Sequence, residues 1–191
     1  CIKNNAVVQH FNKQKGLPSN SIRAIFEDNR GATWFGTSGH GICQYINDAI
    51  FSIDTKNLGV HSVFKTNKKL FLGDFSGGLT TFSPSKQTRF QRETKSEVND
   101  KKVKTFAKLK NGTLWIGTDG GGIFSYKNGH LKSLFHKNNK LKWVRALAAD
   151  TSENIWIGSL GFGLLYFSVI KLTHKKLRRN SGDIANYSTQ Q

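Results

Sequence analysis

The chain has 191 residues, enough to bury a sizeable core as one domain. Its two prolines, 12% aromatic content and 19 glycines suit short strands joined by tight turns and argue against wholesale disorder. The formal net charge of +17 favours polyanionic partners such as nucleic acid, an acidic glycan or an anionic membrane, unless the lysines only solvate the surface.

The two cysteines do not decide the compartment. Cys1 and Cys43 form no CxxC pair and have no metal-ligand spacing. Cys1 is either a lipid-bearing residue left after signal cleavage or a fragment boundary, and we expect the boundary. The longest apolar run, Phe162–Ile170, is shorter than the roughly 20 residues that span a bilayer.

After an extended lead-in over residues 1–21, the sequence repeats. Each copy is centred on an aromatic or Leu-rich triplet that ends in glycine and is followed by a second glycine cluster. These anchor glycines, spaced 37, 44 and 41 residues apart, are Gly36, Gly73, Gly117 and Gly158. A period near forty in a Gly- and aromatic-rich chain is typical of propeller blades or another repeat array.

Alternating hydrophobicity and turn residues predict four short strands per repeat. In the first copy the predicted strands are Ile22–Glu27, Thr33–Gly36, Ile42–Tyr45 and Ile50–Ile53. In the third copy they are Val103–Lys108, Thr113–Gly117, Ile123–Tyr126 and Leu131–Phe135, with Asn-Gly turns at 111–112 and 128–129. Asn-Gly favours a two-residue hairpin because both central positions need positive φ.

We therefore predict an all-β propeller of about four four-stranded blades, as a fragment of a larger propeller. The blades lie within residues 22–170, at about 22–53, 60–92, 103–135 and 144–170. Residues 171–191 are predicted to form a basic loop and a strand-like terminal tail. Stacked blades bury both sheet faces, so the repeated Trp is expected to be core.

Two segments resemble a known repeat: GLPSNSIRAIFEDNRGATWFG (Gly16–Gly36) and NGTLWIGTDGGG (Asn111–Gly122). Both are similar to the two-component regulator propeller repeat, found in the sensor portion of bacterial hybrid two-component systems, especially those controlling polysaccharide use. The resemblance covers about Gly16 to Phe167. Only the first copy keeps the GLPSN lead-in, and the Asp before the turn is replaced by Leu109 in the third copy.

The resemblance carries expectations about the whole protein. Family propellers have about seven blades and belong to larger proteins with a membrane span, a kinase and a regulator domain. The resemblance implies a periplasmic sensor region anchored at the inner membrane. Its partners would be the remaining blades, the signalling domains and, in the full-length protein, a second copy in a homodimer. A stand-alone four-bladed ring is the alternative.

No catalytic constellation stands out, so we expect no enzyme activity, no cofactor and no metal. The six histidines lack metal-ligand spacing, and the Gly clusters lead into strands, whereas a phosphate loop leads into a helix. Asp119, beside Gly120–Gly122, is interpreted as a turn acid and not as a general base.

One column of the repeat suggests binding. The second residue of the first strand in each copy is basic or ionisable, and the next residue is small. These four residues are Arg23, His61, Lys104 and Arg145. The hypothesis is a basic collar at the mouth of a central channel that holds an anionic group. The alternative is the general abundance of Lys and Arg at strand ends that must be polar.

Strand direction places other loops on the same face as this column, carrying His40, Lys101, Lys102, Asp119, Trp143 and Phe162. Trp143 is the only Trp outside the repeated position; it is either a sugar platform or a hydrophobic plug between blades. The predicted ligand-binding residues are Arg23, His61, Lys104, Arg145, Trp143 and His40.

The expected function is non-catalytic recognition of a glycan or oligosaccharide, acidic in one version of the hypothesis. Two alternatives stay open. A protein-interaction scaffold would use a propeller face to dock a partner. A nucleic-acid module would use the basic stretch between Lys101 and Arg145, which contains one acidic residue. No recognised nucleic-acid motif supports the last reading, which is therefore disfavoured.

Overall fold

The computed structural model describes residues 2–3, 6–7, 9–53, 55, 58–75, 77–84, 90–95, 98, 101–135, 139–168 and 185–186. In these ranges the regular structure is β-strand, apart from short 3-10 turns at Lys13–Lys15 and Asn139–Leu141. The strands are β1 (Ile2–Lys3), β2 (Ala6–Val7), β3 (Ile22–Glu27), β4 (Thr33–Thr37), β5 (Ile42–Ile46), β6 (Ala49–Ile53), β7 (Val60–Lys65), β8 (Leu70–Asp74), β9 (Leu79–Pro84), β10 (Phe90–Lys95), β11 (Lys102–Lys108), β12 (Leu114–Asp119), β13 (Gly122–Lys127), β14 (His130–Leu134), β15 (Val144–Ala149), β16 (Ile155–Ser159), β17 (Gly163–Phe167) and β18 (Ala185–Asn186).

Each repeat forms one four-stranded antiparallel meander. The sheets are β3-β4-β5-β6, β7-β8-β9-β10, β11-β12-β13-β14 and β15-β16-β17-β18, and β1 pairs with β2. The predicted all-β architecture of four-stranded blades is confirmed. The fourth sheet takes its last strand from the tail, where Ala185 pairs with Tyr166 and Asn186 with Leu165. The rest of the predicted loop and tail, 171–184 and 187–191, lies outside the described residues, as does Cys1.

The chain divides into two compact units, Cys1–Lys95 and Ser96–Gln191, each holding two of the sheets. In the first unit β7 packs against β3 and β4, around a core that includes Trp34 and Val60. In the second unit β15 packs against β11 and β12, around a core that includes Trp115 and Val144. Within each unit, apolar side chains between the neighbouring sheets are the main source of stability.

The repeated Trp is core in two copies. Trp34 is fully buried and Trp115 is 4% exposed, while Trp156 in the last sheet is only partly buried. The Asp that precedes the first turn fixes the indole, because Trp34 Nε1–H donates to Asp28 at 3.0 Å and Trp156 Nε1–H to Asp150 at 3.2 Å. In the third copy buried Leu109 replaces this Asp and joins the apolar cluster of Trp115.

Of the two Asn-Gly turns predicted from the sequence, one is confirmed and the other is wrong. Asn128-Gly129 is the predicted two-residue hairpin, with Lys127 paired to His130 and positive φ at both central residues. Asn111-Gly112 is not a two-residue hairpin. The strands there end at Lys108 and Leu114, and Leu109 N–H bonds to Thr113 O while Gly112 N–H bonds to Leu109 O. This is a three-residue loop in which only the glycine has positive φ.

The anchor glycines make room for the neighbouring sheet. A Cβ added to Gly36 would lie 2.7 Å from Val60 Cγ1, and one added to Gly117 would lie 2.6 Å from Val144 Cγ1. A side chain on either glycine would therefore push the two sheets apart. At Gly158 the nearest atoms all belong to Ala146 of the same sheet.

Candidate functional site

The first strand of each four-stranded sheet contains a β-bulge at the residue of the basic column. In β3 the pairing passes from Ile22–Thr37 to Ala24–Gly36, and in β11 from Val103–Thr118 to Thr105–Gly117. The same shift occurs in β7 and β15. The extra residues are Arg23, His61, Lys104 and Arg145. The basic column found in the sequence is thus the set of bulged positions.

A bulge interrupts the ladder, bends the strand and re-aims a side chain, and bulges are frequent next to binding sites. The local sequence accommodates this bend. The residue after each bulge pairs with an anchor glycine, and in the first sheet a Cβ on Gly36 would already lie 3.2 Å from Ala24 Cβ. A small residue opposite a glycine leaves space for the neighbouring sheet at the point where the strand kinks.

In the first unit the two bulged residues meet an aromatic ring. The His61 and Phe75 ring centroids are 3.6 Å apart, and the guanidinium carbon of Arg23 lies 5.7 Å from the centroid of Phe75. Arg23 is exposed and His61 is half-buried. The geometry around Phe75 is that of a cation–π contact. The sequence reasoning had not assigned a role to Phe75.

In the second unit the two bulged residues meet a carboxylate. Arg145 Nη1–H donates to Asp119 Oδ2 at 2.9 Å, and Lys104 Nζ lies 4.0 Å from the same oxygen. The side chains of Lys104, Asp119 and Arg145 are 19%, 15% and 45% exposed. Burial is the main effect that lowers the pKa of Lys104; the charges of Arg145 and Lys102 add to it, and Asp119 opposes it.

Asp119 was interpreted from the sequence as a turn acid, and the ion pair was missed. Its partner Arg145 is 26 residues away, so no local motif announces the contact. One signal was present. Asp119 and Phe75 each stand two residues after an anchor glycine, so the repeat itself marks the position that faces the bulged residues. Asp119 Oδ1 is buried and has no hydrogen-bond partner within the described part of the chain.

Trp143 lies beside this ion pair. Its backbone forms a bridge with Asp119, and Lys142 O accepts hydrogen bonds from the N–H groups of Gly120 and Gly122. The side chain is 41% exposed, and a Cβ on Gly120 would lie 3.3 Å from its Cζ3. The Lys142 amino group is 5.7 Å from the ring centroid. The glycine loop therefore supports an indole that keeps much of its surface accessible.

The other predicted residues lie on loops of their own units. His40 is exposed, with Nδ1 3.3 Å from Ser38 O, and its loop joins residues 58–59 through the Gly41 N–H bond to Leu58 O. Lys101 packs against the Gly121 backbone. Phe162 is 48% exposed in the last sheet, close in sequence to exposed Leu160 and Leu164.

The second unit can recognise a ligand by ring stacking and by charge. A half-exposed indole can stack on the C–H face of a pyranose ring, and a guanidinium offers a planar set of donors. Among the described residues no group of three or more His, Cys, Asp or Glu side chains could hold a metal ion.

Comparison with known proteins gives one family match. The two component regulator propeller family matches residues 16–39, within the segment whose resemblance was noted from the sequence. No curated protein matches the chain.

Solved structures match more of the chain. The extracellular domain assigned to the hybrid two component system BT4673 from B. thetaiotaomicron has 25% identity and a TM-score of 0.65 over 83% of this chain and 23% of its own. That of BT3049 from the same organism has 23% identity and a TM-score of 0.71 over 89% of this chain and 24% of its own. A streptogramin B lyase, at 13% identity and a TM-score of 0.63, covers 81% of this chain and 54% of its own, and shares the fold alone.

This chain thus spans about a quarter of the length of the two extracellular domains. Its four meander sheets, its repeat near forty residues and the match at residues 16–39 agree with one another. The chain has a β-propeller fold, and its residues 16–39 match the two component regulator propeller family.

Proposed function

We propose that the chain is part of the ligand-sensing propeller of a hybrid two-component signalling protein, and that it recognises a glycan or oligosaccharide by binding, without catalysis. The single observation that carries the proposal is Trp143, which is 41% exposed and whose backbone bridges to Asp119, the carboxylate partner of Arg145. An exposed aromatic face flanked by polar groups is the usual arrangement for holding a sugar ring.

The similarity to extracellular domains assigned to hybrid two component systems supports the signalling part of the proposal. On the same basis we place the chain in the periplasm, as part of a sensor anchored at the inner membrane. In the part of the chain that the structure describes, no helix combines the length and apolar character needed to cross a membrane. The proposed partners are the remaining blades and the signalling domains of the parent protein, with a homodimer of that protein.

A protein-interaction scaffold is the second candidate, and one observation favours it. Leu160, Phe162 and Leu164 of the last sheet region are 54%, 48% and 52% exposed, which is an apolar patch of the kind that docks protein partners. The nucleic-acid alternative has only the net charge of +17 in its favour.

Titration calorimetry against a panel of neutral and acidic oligosaccharides tests the proposal. We expect one saccharide class to bind the full chain, and Trp143→Ala to weaken that binding at least tenfold, an effect of about 1.4 kcal/mol. Lys127→Ala is the matched control, because Lys127 is exposed and lies at the far end of β13 from the Gly122 loop. Equal loss in both variants, or no saccharide binding, would contradict the proposal.

Binding to heparin and to DNA with equal affinity, lost together at high salt, would instead favour a generic electrostatic field. Raising the salt from about 0.1 M to about 1 M shortens the Debye length from about 10 Å to about 3 Å. Stacking on Trp143 does not depend on that length, so binding of a neutral saccharide is expected to survive the change.

A further inference from the structure

In the second unit, two separate bulges position the two cationic side chains near the same carboxylate oxygen. Lys104 is the extra residue of β11 and Arg145 the extra residue of β15, and both reach Asp119 Oδ2, at 4.0 and 2.9 Å. In each of these two strands, the regular backbone pairing is interrupted at this position. Because both cations lie at a bulge, we infer that their position matters as well as their charge.

Asp119 compensates the cations incompletely. Two positive charges face one carboxylate, so the group keeps one net positive charge, and Lys101, Lys102 and Lys142 add to the local field. The carboxylate itself is poorly solvated, since Oδ1 is buried with no hydrogen-bond partner among the described residues. Arg145 remains 45% exposed, so the guanidinium has surface left for a second acceptor.

We propose that Lys104 and Arg145 form an anion subsite for a carboxylate- or sulfate-bearing sugar whose ring stacks on Trp143, and that Asp119 is a built-in counter-ion competing with the acid group of that sugar. The inference rests on the proposed glycan recognition and makes its ligand class specific. Asp119 holds the cations in position when no ligand is bound, and its charge weakens the binding of any second anion.

The position of Trp143 links the two halves of this subsite. Its backbone bridges to Asp119, so the residue that carries the indole pairs with the residue whose carboxylate contacts both cations. A hexuronic acid places its carboxylate on the sugar ring, so one monosaccharide can stack and form an ion pair together. The remaining N–H groups of Arg145 can donate to two oxygens of a carboxylate or a sulfate in a bidentate manner.

The test uses the full chain and matched oligosaccharides that differ only at the terminal sugar: glucuronate, glucose or 6-sulfated glucose. Titration calorimetry is expected to show the two acidic forms binding tighter than the neutral one. Asp119→Asn should strengthen binding of an acidic form relative to the neutral form by about tenfold, or ~1.4 kcal/mol. Comparing the affinities of the glucuronate form and the 6-sulfated glucose form identifies which anion the subsite prefers.

Arg145→Ala is the opposing variant and should lower the affinity for the acidic forms more than the affinity for the neutral one, so that the acid-to-neutral affinity ratio falls. A purely structural Asp119 would give a different result, because Asp119→Asn would then weaken all three ligands alike. That result overturns the inference, as does equal affinity of the native chain for acidic and neutral forms. If acidic and neutral forms bind equally but binding still depends on Trp143, the proposed function remains intact. If no form binds, both the proposed function and this inference are contradicted.

Thermal unfolding of each variant guards against a folding defect. If Asp119→Asn lowers the melting temperature by several degrees, Asp119→Ser, which removes the charge and keeps a small polar group, takes its place. The acid-to-neutral affinity ratio within one variant does not depend on the folded fraction. A ratio unchanged from the native chain in both variants overturns the inference.

Discussion

At the scale of single residues, Asp28 shows how one side chain closes a turn and anchors the core. It is 5% exposed and accepts hydrogen bonds from the backbone N–H groups of Arg30 and Ala32 and from Trp34 Nε1–H. Burial alone would raise its pKa. These hydrogen bonds, with the charge of Lys65, outweigh burial and hold the pKa of Asp28 below its usual value.

Removing this carboxylate should destabilise the first sheet. We expect Asp28→Ala to lower the free energy of unfolding by about 1–3 kcal/mol, because it leaves the buried Trp34 N–H without its acceptor. Urea titration measures the change. Glu27→Ala, at an exposed neighbour, is the control and should shift the unfolding free energy by less than about 0.5 kcal/mol. Similar losses for both variants would show that the turn network contributes little.

The same carboxylate gives stability a pH dependence of known sign. Because its folded pKa is lowered, Asp28 stabilises the fold above the unfolded value of about 3.9, and this contribution is lost as the pH falls through the folded pKa. The difference in unfolding free energy between the native chain and Asp28→Asn should therefore be largest above about pH 4 and shrink towards pH 2. A difference that stays constant across this range would contradict the assignment.

At the scale of elements, the packing of one sheet on the next depends on the anchor glycines. We expect Gly36→Ala and Gly117→Ala to cost about 1–3 kcal/mol each, since the new methyl group would meet Val60 or Val144. Gly158→Ala is the matched control, because only Ala146, at 3.3 Å, lies near its added Cβ. Thermal or urea unfolding compares the three variants. A cost at Gly158 equal to the others would mean that the glycines serve the strand itself and not the sheet contact.

The strands were predictable because each depends on local alternation and turn chemistry. Predicted Ile22–Glu27 matches β3 at both ends, and predicted Val103–Lys108 differs from β11 by one residue at its start. The bulges were not predictable, since a bulge is a property of the register between two strands, and the sequence of one strand does not reveal it. The Asn111-Gly112 turn differs from the prediction because the last hydrogen-bonded pair is Leu109 with Thr113, which leaves Lys110 in the loop with Asn111 and Gly112.

The candidate site was predictable in part for the same reason. The basic column and Trp143 are visible in the sequence because the repeat aligns them. Their partners share only a place two residues after an anchor glycine, and the contacts of Asp119 with Arg145 and of Phe75 with Arg23 form only when neighbouring sheets pack. The hypothesis of one basic collar did not distinguish the two units, in which the bulged pair contacts an aromatic ring in one and a carboxylate in the other.

At the scale of the whole molecule, a net charge of +17 and a specific site make different predictions about binding. A diffuse positive field attracts any polyanion and weakens steeply with salt. A site built on Trp143 selects for a sugar ring, and its selectivity among saccharides should persist when the salt concentration rises. This chain spans about a quarter of the length of the two extracellular domains to which it is similar.

The most direct measurement is a proton–nitrogen NMR titration of the four Trp indole N–H groups with the best-binding oligosaccharide. Trp143→Phe assigns its own resonance, and the buried indoles of Trp34 and Trp115 serve as internal references. The account predicts that the Trp143 signal moves in a saturable manner while those two stay in place. A saccharide that binds without moving the Trp143 signal would contradict the site, and therefore the central claim.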